Sequence, residues 1–384
     1  MTANADQALL PAGLQDLLPP AAAQEAGAVE RLIQAFRGYG YDRVKPPLIE
    51  FEDALLAGAG AALAQQTFRL MDPVSQRMLG VRADMTTQVA RIATSRLSRA
   101  PRPLRLCYGG QVLRVTGSQL RPERQFAQVG AELIGSESEH ADAEALIMAV
   151  SGLNGIGAEG LTVDLNLPPL VAALAERLQL DAEVTQRLRQ ALDRKDAAAV
   201  AQLAGDHAPL FQGLLRAAGP AQDALDDLFA LDLPERVQRE ADRLKRVVAL
   251  VQAALPDLTL TVDPVEHRGF EYHRGVTFTI YARGVRGELG RGGRYTTDAD
   301  GGPWEPATGF TLFMDSVLRA LPEPAAPARV YVPHAHARTA ARLRTDGWQA
   351  IAGLVPEDDP AAEARRLGCT HLLKNGDVQP LDDA

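Results

Sequence analysis

Three separated stretches of the chain set polar side chains into otherwise apolar surroundings. The first, VRADMTTQVAR (residues 81–91), alternates Arg82, Asp84 and Thr86 out of an apolar run, in the manner of a strand. The second, VLRVTGSQLRPERQFAQVGAELIG (112–135), carries Arg114 in one strand and Gln128 and Glu132 in the next. The last two are four residues apart and so share a face. The third, EHRGFEYHRGVTFTIYARGVRGELGRGGRY (266–295), presents Arg268, Tyr272 and His273 ahead of a glycine-rich turn. A carboxylate and an amide aimed inward from a sheet are costly to bury unless a cation or donor meets them. A zwitterionic ligand would do so, with Asp84 and Gln128 on an ammonium, Arg268 on a carboxylate, and Glu132 with Tyr272 on a further N–H group. The same groups could instead satisfy one another as an internal salt-bridge network.

These side chains need a sheet and helices to hold them. Val29, Leu32, Ile33 and Phe36 fall at helical spacing within Gln24–Tyr39, and the pattern stops at Gly38 and Gly40. Leu104–Val115 and Phe126–Ile134 read as neighbouring strands, followed by a helix over about 139–151 with acidic residues at its start. The Ala- and Leu-rich region of about 169–255 reads as helical, and strands resume at 258–263 and 275–282. The proline-rich LPEPAAPA (321–328) marks a boundary. The chain is therefore expected as a domain over 1–325, with a helical insertion at about 169–255, and a short α/β domain over 326–384.

Several chemistries are excluded or disfavoured. The lysines are Lys45, Lys195, Lys245 and Lys374, and none sits in a G-x-x-x-x-G-K-[ST] phosphate loop. Gly155, Gly157 and Gly160 match G-x-G-x-x-G, but a helix precedes them and a strand follows, the reverse of a dinucleotide fingerprint. They read as a helix end and turn. His334 and His336 lack an acidic or thiol partner beside them and read as exposed, so no metal and no cofactor are expected. Cys107 and Cys369 stand alone, which argues against a disulfide framework and for a reducing compartment. There is neither a secretory leader pattern nor a long apolar run, so a cytoplasmic protein without a membrane partner is expected. The net charge of −9 disfavours a polyanion as the main ligand.

With these residues in view, the chain resembles class II aminoacyl-tRNA synthetases, specifically the histidyl-tRNA synthetase core. The similarity runs from AGLQDLLPP (12–20) to GFTLFMDSVLRAL (309–321), and RQFAQVGAELIG, RGFEYHRGVTF and GGRY carry it most specifically. The resemblance implies an α+β fold with an antiparallel sheet of six or more strands flanked by helices. It also implies a dimer built through the region around Pro46 and Pro47, and a histidine pocket. Within that pocket it assigns Asp84, helped by Thr86 and Gln128, to the α-amino group, Glu132 and Tyr272 to the imidazole, and Arg268 to the neighbourhood of the carboxylate. Arg114 keeps an arginine that in active synthetases contacts the ATP α-phosphate. His273 replaces an aromatic residue, and its place in the pocket is open.

The departures concern the nucleotide. Thr116 replaces a glutamate near the adenine, and GFTLFMDSVL places Phe313, Asp315 and Ser316 where the family pattern has glycine, glutamate and arginine. Serine has neither the charge nor the donor fork of arginine. Losing such a contact on a developing anion costs about 10² to 10³ in rate. A truncated but active synthetase is disfavoured on that ground, and the C-terminal segment is shorter than the anticodon-binding domain the resemblance would supply, so no tRNA partner is expected. The combination resembles a non-catalytic paralogous family, the regulatory subunits of ATP phosphoribosyltransferase. That resemblance implies histidine as ligand, a short-form catalytic subunit as partner, and a self-dimer within a hetero-oligomer. A histidine sensor for some other partner is the remaining alternative.

Overall fold

The computed structural model describes residues 9–118, 121–266, 273–297, 304–324 and 327–381. The chain divides into two compact units, Met1–Pro322 and Glu323–Ala384. Among the described residues no helix is long and apolar enough to cross a membrane.

The first unit is built on a nine-stranded sheet. In chain order its strands are β1 (Asp42–Arg43), β2 (Leu104–Leu113), β3 (Gln125–Ile134), β4 (Leu161–Asn166), β5 (Gly219–Pro220), β6 (Thr259–Asp263), β7 (Thr277–Ala282), β8 (Gly290–Thr296) and β9 (Pro306–Phe313). They lie side by side as β1-β2-β3-β9-β8-β7-β4-β6-β5. The run from β2 to β4 is antiparallel throughout, whereas β1 joins β2 and β6 joins β4 in parallel. The sheet thus contains the expected antiparallel run of six strands and is mixed only at its flanks. A parallel neighbour requires a long crossover, and the helical segment between β4 and β6 supplies one.

The central strand β3 is buried on both faces, which explains its nearly continuous apolar sequence. Ala127, Val129, Ala131 and Leu133 join one core with helices α1 (Ala21–Gly38) and α3 (Glu139–Gly155). Phe126 and Ile134 join the opposite core with Met85, Val89 and Ala93 around helix α2 (Thr86–Ser95). Period-two alternation sends Gln128 and Glu132 to this second face, beneath α2. On the first face α1 buries Ala28, Leu32, Ile33 and Phe36, and the Phe36 ring meets Phe310 of β9 edge-on at 5.2 Å. The helix α1 approaches so closely that a Cβ on Gly109 would lie 3.3 Å from Val29.

The stretch around Asp84 differs from expectation. A strand covers Met78–Val81, the chain then turns, and α2 begins at Thr86. The Asp84 carboxylate accepts the Thr86 backbone N–H at 2.8 Å, so the aspartate organises the entry to the helix. Between 169 and 255 every element is helical except the two residues of β5, and the last is α4 (Glu235–Ala254). The turn at Gly157 and Gly160 has the positive φ angles that glycine tolerates, 101° and 62°, beyond the end of α3. The second unit forms a four-stranded sheet, in the order Gln349–Ala352, Arg329–Val332, His371–Lys374 and Asp377–Pro380. The last is an antiparallel edge strand that the sequence patterning had not marked.

A buried ion cluster fastens β8 to the helices. Asp142 in α3 meets Arg294 of β8 at 2.8 Å and Arg243 of α4 at 3.0 Å, and Arg294 also donates to the Ser136 carbonyl at 2.7 Å. Asp142→Ala is expected to destabilise the protein by about 3–5 kcal/mol, because it strands a buried arginine. Urea denaturation of the full chain measures this; a loss below about 1 kcal/mol would mean that the cations relax into solvent.

Candidate ligand site

Six of the eight residues singled out by sequence lie within the described chain, and they converge. Asp84, Thr86, Arg114, Glu132 and His273 line one cavity of about 250 Å³ in the first unit, with Gln128 directly behind Asp84. Arg268 and Tyr272 lie outside the described residues. Additional lining comes from Tyr295, Gly309, Phe310, Thr311 and Phe313. The floor is thus the α2-facing side of β3, β9 and β8.

Glu132 is the least ordinary group here. Its side chain is 1% exposed at the centre of the sheet. Tyr108 donates to one carboxyl oxygen at 3.1 Å and Tyr295 to the other at 2.9 Å. The Tyr108 hydroxyl also meets Thr86 Oγ1 at 3.2 Å and Thr311 Oγ1 at 2.8 Å, so β2, β3, β8, β9 and α2 share one polar network. Burial pushes the Glu132 carboxyl up to about 8, and the hydroxyl donors only partly counter this. Burial likewise holds the Tyr108 phenol well above its ordinary range.

Space for the carboxyl comes from glycine. Gly309 faces Glu132 across the β3–β9 pairing, and a Cβ there would lie 1.8 Å from a Glu132 oxygen. Gly130 similarly leaves room for the Tyr108 hydroxyl, 2.5 Å from where its Cβ would stand. These are close-approach glycines rather than turn glycines.

Beside this network, Gln128 donates to Asp84 at 2.8 Å and accepts the Met85 backbone N–H at 3.1 Å. Both ends of the amide are fixed, so the free lone pairs of Asp84 face the cavity as an acceptor for an N–H group. Arg114 donates to the Ala83 carbonyl at 3.3 Å and lies over the Phe126 ring at 5.1 Å. Among the described residues neither Asp84 nor Glu132 makes an ion pair. The contacts to these carboxyls among the described residues come from neutral donors, and the arginine of the salt-bridge alternative, Arg268, lies outside them. Asp84 and Glu132 thus present carboxyl oxygens that could accept from a small ligand with N–H donors.

Sequence reasoning missed Tyr108, Tyr295 and Thr311. Their only signal was position, because Tyr108 and Glu132 sit on adjacent strands in registers that the chain order does not reveal.

Residues 13–317 match the family described as Histidyl-tRNA synthetase. A protein of Rhodospirillum centenum named ATP phosphoribosyltransferase regulatory subunit is 56% identical over 377 residues, covering 98% of this chain and 97% of that one. One of the same name from Paramagnetospirillum magneticum is 58% identical over 374 residues, covering 97% and 98%. In fold, the chain superposes with TM-score 0.81 on a Bacillus halodurans protein titled ATP phosphoribosyltransferase regulatory subunit/histidyl-tRNA synthetase, at 23% identity and covering 94% and 96% of the two chains. Histidyl-tRNA synthetase from Nostoc sp. PCC 7120 superposes with TM-score 0.80 at 18% identity, covering 96% and 91%.

The sign of the Glu132 shift makes a prediction. Between about pH 4.5 and 8 the folded protein holds a proton here that the unfolded chain has released, so stability falls as pH rises through that window. Glu132→Gln should remove this slope, leaving the variant stabilised relative to the parent at pH 8.5 by about 1–3 kcal/mol more than at pH 5. Urea midpoints at the two pH values test it; equal differences would mean that the carboxyl is ionised throughout.

Proposed function

Because this chain belongs to the histidyl-tRNA synthetase family, in its branch of ATP phosphoribosyltransferase regulatory subunits, we propose that its cavity binds free histidine as a feedback signal. The role is regulatory rather than catalytic, in the first step of histidine biosynthesis. The single observation that carries the ligand is Glu132. A carboxyl that keeps its proton to about pH 8 meets an imidazole either as a proton donor or, after transfer, as the carboxylate of an imidazolium pair. Asp84, with Thr86 and Gln128 fixing it, takes the α-ammonium. The family resemblance supports Arg268, with Arg114, as partner of the carboxylate, and Tyr272 and His273 as partners of the ring.

Binding shifts a hetero-oligomer with the short-form catalytic subunit toward a less active state. Linkage then requires ligands of the catalytic subunit to change histidine affinity by the same factor. The complex works in the cytoplasm without tRNA or cofactor.

The self-dimer has its own support. A small sheet of Ile49–Phe51, Arg69–Met71 and Met78–Val81 pairs Ile49 with Val81 and Phe51 and Leu70 with Leu79, placing five apolar side chains on one face. None of the five is buried within the chain, and the sheet adjoins Pro46 and Pro47. An apolar sheet face of this kind fits a second copy of the chain.

Glu132→Ala is expected to weaken histidine binding by about 1–3 kcal/mol, a factor of roughly 5 to 150, by leaving a ligand donor unpaired. Calorimetry on the full chain reads this, with phosphoribosyltransferase activity of the reconstituted complex, with and without histidine, as the functional readout. No histidine binding by chain or complex would overturn the reading. Phe51→Glu should shift sedimentation toward a monomer while leaving the thermal transition in place; an unchanged sedimentation coefficient would remove this face from the interface.

A further inference from the structure

The cavity has a second, cationic wall that the histidine reading leaves unused, formed by Arg121 and Arg291 beside Arg114. Such a wall would ordinarily attract a phosphate-bearing ligand. Here both guanidinium groups already stand against carboxylates from within the chain. Arg121 Nη2 meets Glu288 at 3.1 Å, and Arg121 Nε stands 3.3 Å from Asp315. Arg291 Nη2 meets the same Glu288 oxygen at 3.2 Å. The guanidinium charges of Arg121 and Arg291 are thus matched by the carboxylates of Glu288 and Asp315.

Phe313 closes the remaining direction. Its ring is 2% exposed, lies 3.6 Å from the Arg121 guanidinium carbon, and is 5.7 Å from that of Arg291 and 6.0 Å from that of Arg114. Phe126 supports it edge-on at 5.9 Å. The flat face of Arg121 is therefore covered, and its side chain is only 9% exposed. The groups come from separate places: Phe313 ends β9, Asp315 opens helix α5 (Met314–Ala320), Glu288 precedes β8, and Arg121 lies between β2 and β3. The open volume of about 250 Å³ falls below the roughly 300–1,000 Å³ of ordinary small-molecule pockets, and suits one amino acid.

We propose that Glu288, Asp315 and Phe313 form an internal counter-ion that occupies Arg121 and Arg291, and so sets the selectivity of the cavity against phosphoanhydride ligands. The proposal rests on the reading above only for the name of the small ligand admitted. Removing the carboxylates would leave two arginine charges facing the cavity, and an anion could then replace them.

The test is calorimetric titration of the full chain with inorganic pyrophosphate at low salt, in parallel with histidine. The parent should bind no pyrophosphate at millimolar concentration. Glu288→Gln combined with Asp315→Asn should gain pyrophosphate affinity by at least about tenfold, and adding Phe313→Ala should increase the gain. Should the combined variant fail to fold, Glu288→Gln alone carries the test, because Glu288 touches both arginines. Pyrophosphate binding by the parent, or a folded variant with no gain, would overturn the proposal. The histidine titration of the same samples reports separately on the ligand reading, so the two can fail independently.

Discussion

A carboxyl group buried at the centre of a sheet is the constraint around which this domain is arranged. Glu132 sits at 1% exposure with no cation beside it among the described residues, a placement that costs several kcal/mol if the group is charged and unmatched. The surrounding strands answer with hydroxyl donors from β2 and β8 and with glycine on β9 where a side chain would collide. Each answer depends on strand register. A slip of one residue between β3 and β9 would replace Gly309 by Thr308 or Phe310 and remove the space the carboxyl occupies. The ion cluster at Asp142 then acquires a purpose, because it pins Arg294, and with it the adjoining Tyr295, to the helical layer on the far face.

The cavity's two walls solve opposite electrostatic problems. On the Asp84 and Glu132 side, acceptors are held in place by neutral donors, so basic character is left for a ligand to supply. On the Arg121 and Arg291 side, cations are matched by carboxylates from the chain itself. One wall is poised to gain from an incoming N–H group, and the other already holds its partners. A site that binds without performing chemistry needs this asymmetry, since exposing cations to a developing anion is the basis of group transfer.

Much of this arrangement was legible in the sequence, and the reasons are specific. The α1 face was readable because Leu32, Ile33 and Phe36 follow helical spacing, and the shared face of Gln128 and Glu132 follows from strand alternation alone. The glycines at 155–160 were readable from element order. Asp84 was placed in a strand because polar and apolar residues alternate there, yet its carboxylate competes for the backbone and turns the chain into α2. Local hydrogen bonding overrode the period-two pattern. Tyr108, Tyr295 and Thr311 were invisible because their roles depend on which strands become neighbours, and β8 and β9 lie far from β2 and β3 in sequence. The resemblance to the synthetases named residues that line one cavity but could not show that Asp315 and Phe313 cover Arg121 in its wall. That wall is formed by pairs such as Arg121 with Asp315, whose partners lie nearly two hundred residues apart.

The same electrostatics bear on how a ligand could act at a distance. If histidine binds at Glu132 as proposed, it would change the protonation of a group bonded to both β2 and β8, and so the strength of both tyrosine hydrogen bonds at once. Tyr295 is next to Arg294, whose guanidinium is bonded to α3 and ion-paired, through Asp142, with Arg243 of α4. A change in the pocket is therefore adjacent to charged contacts spanning the sheet and two helices. Such contiguity alone is not coupling, because a rigid network transmits nothing unless some element has two arrangements of similar energy. The carboxyl itself offers a two-state element: protonated in the empty site near neutral pH, and ionised when paired with an imidazolium. Burial, which raises the carboxyl to about 8, would bring those two protonation states close in energy near neutral pH.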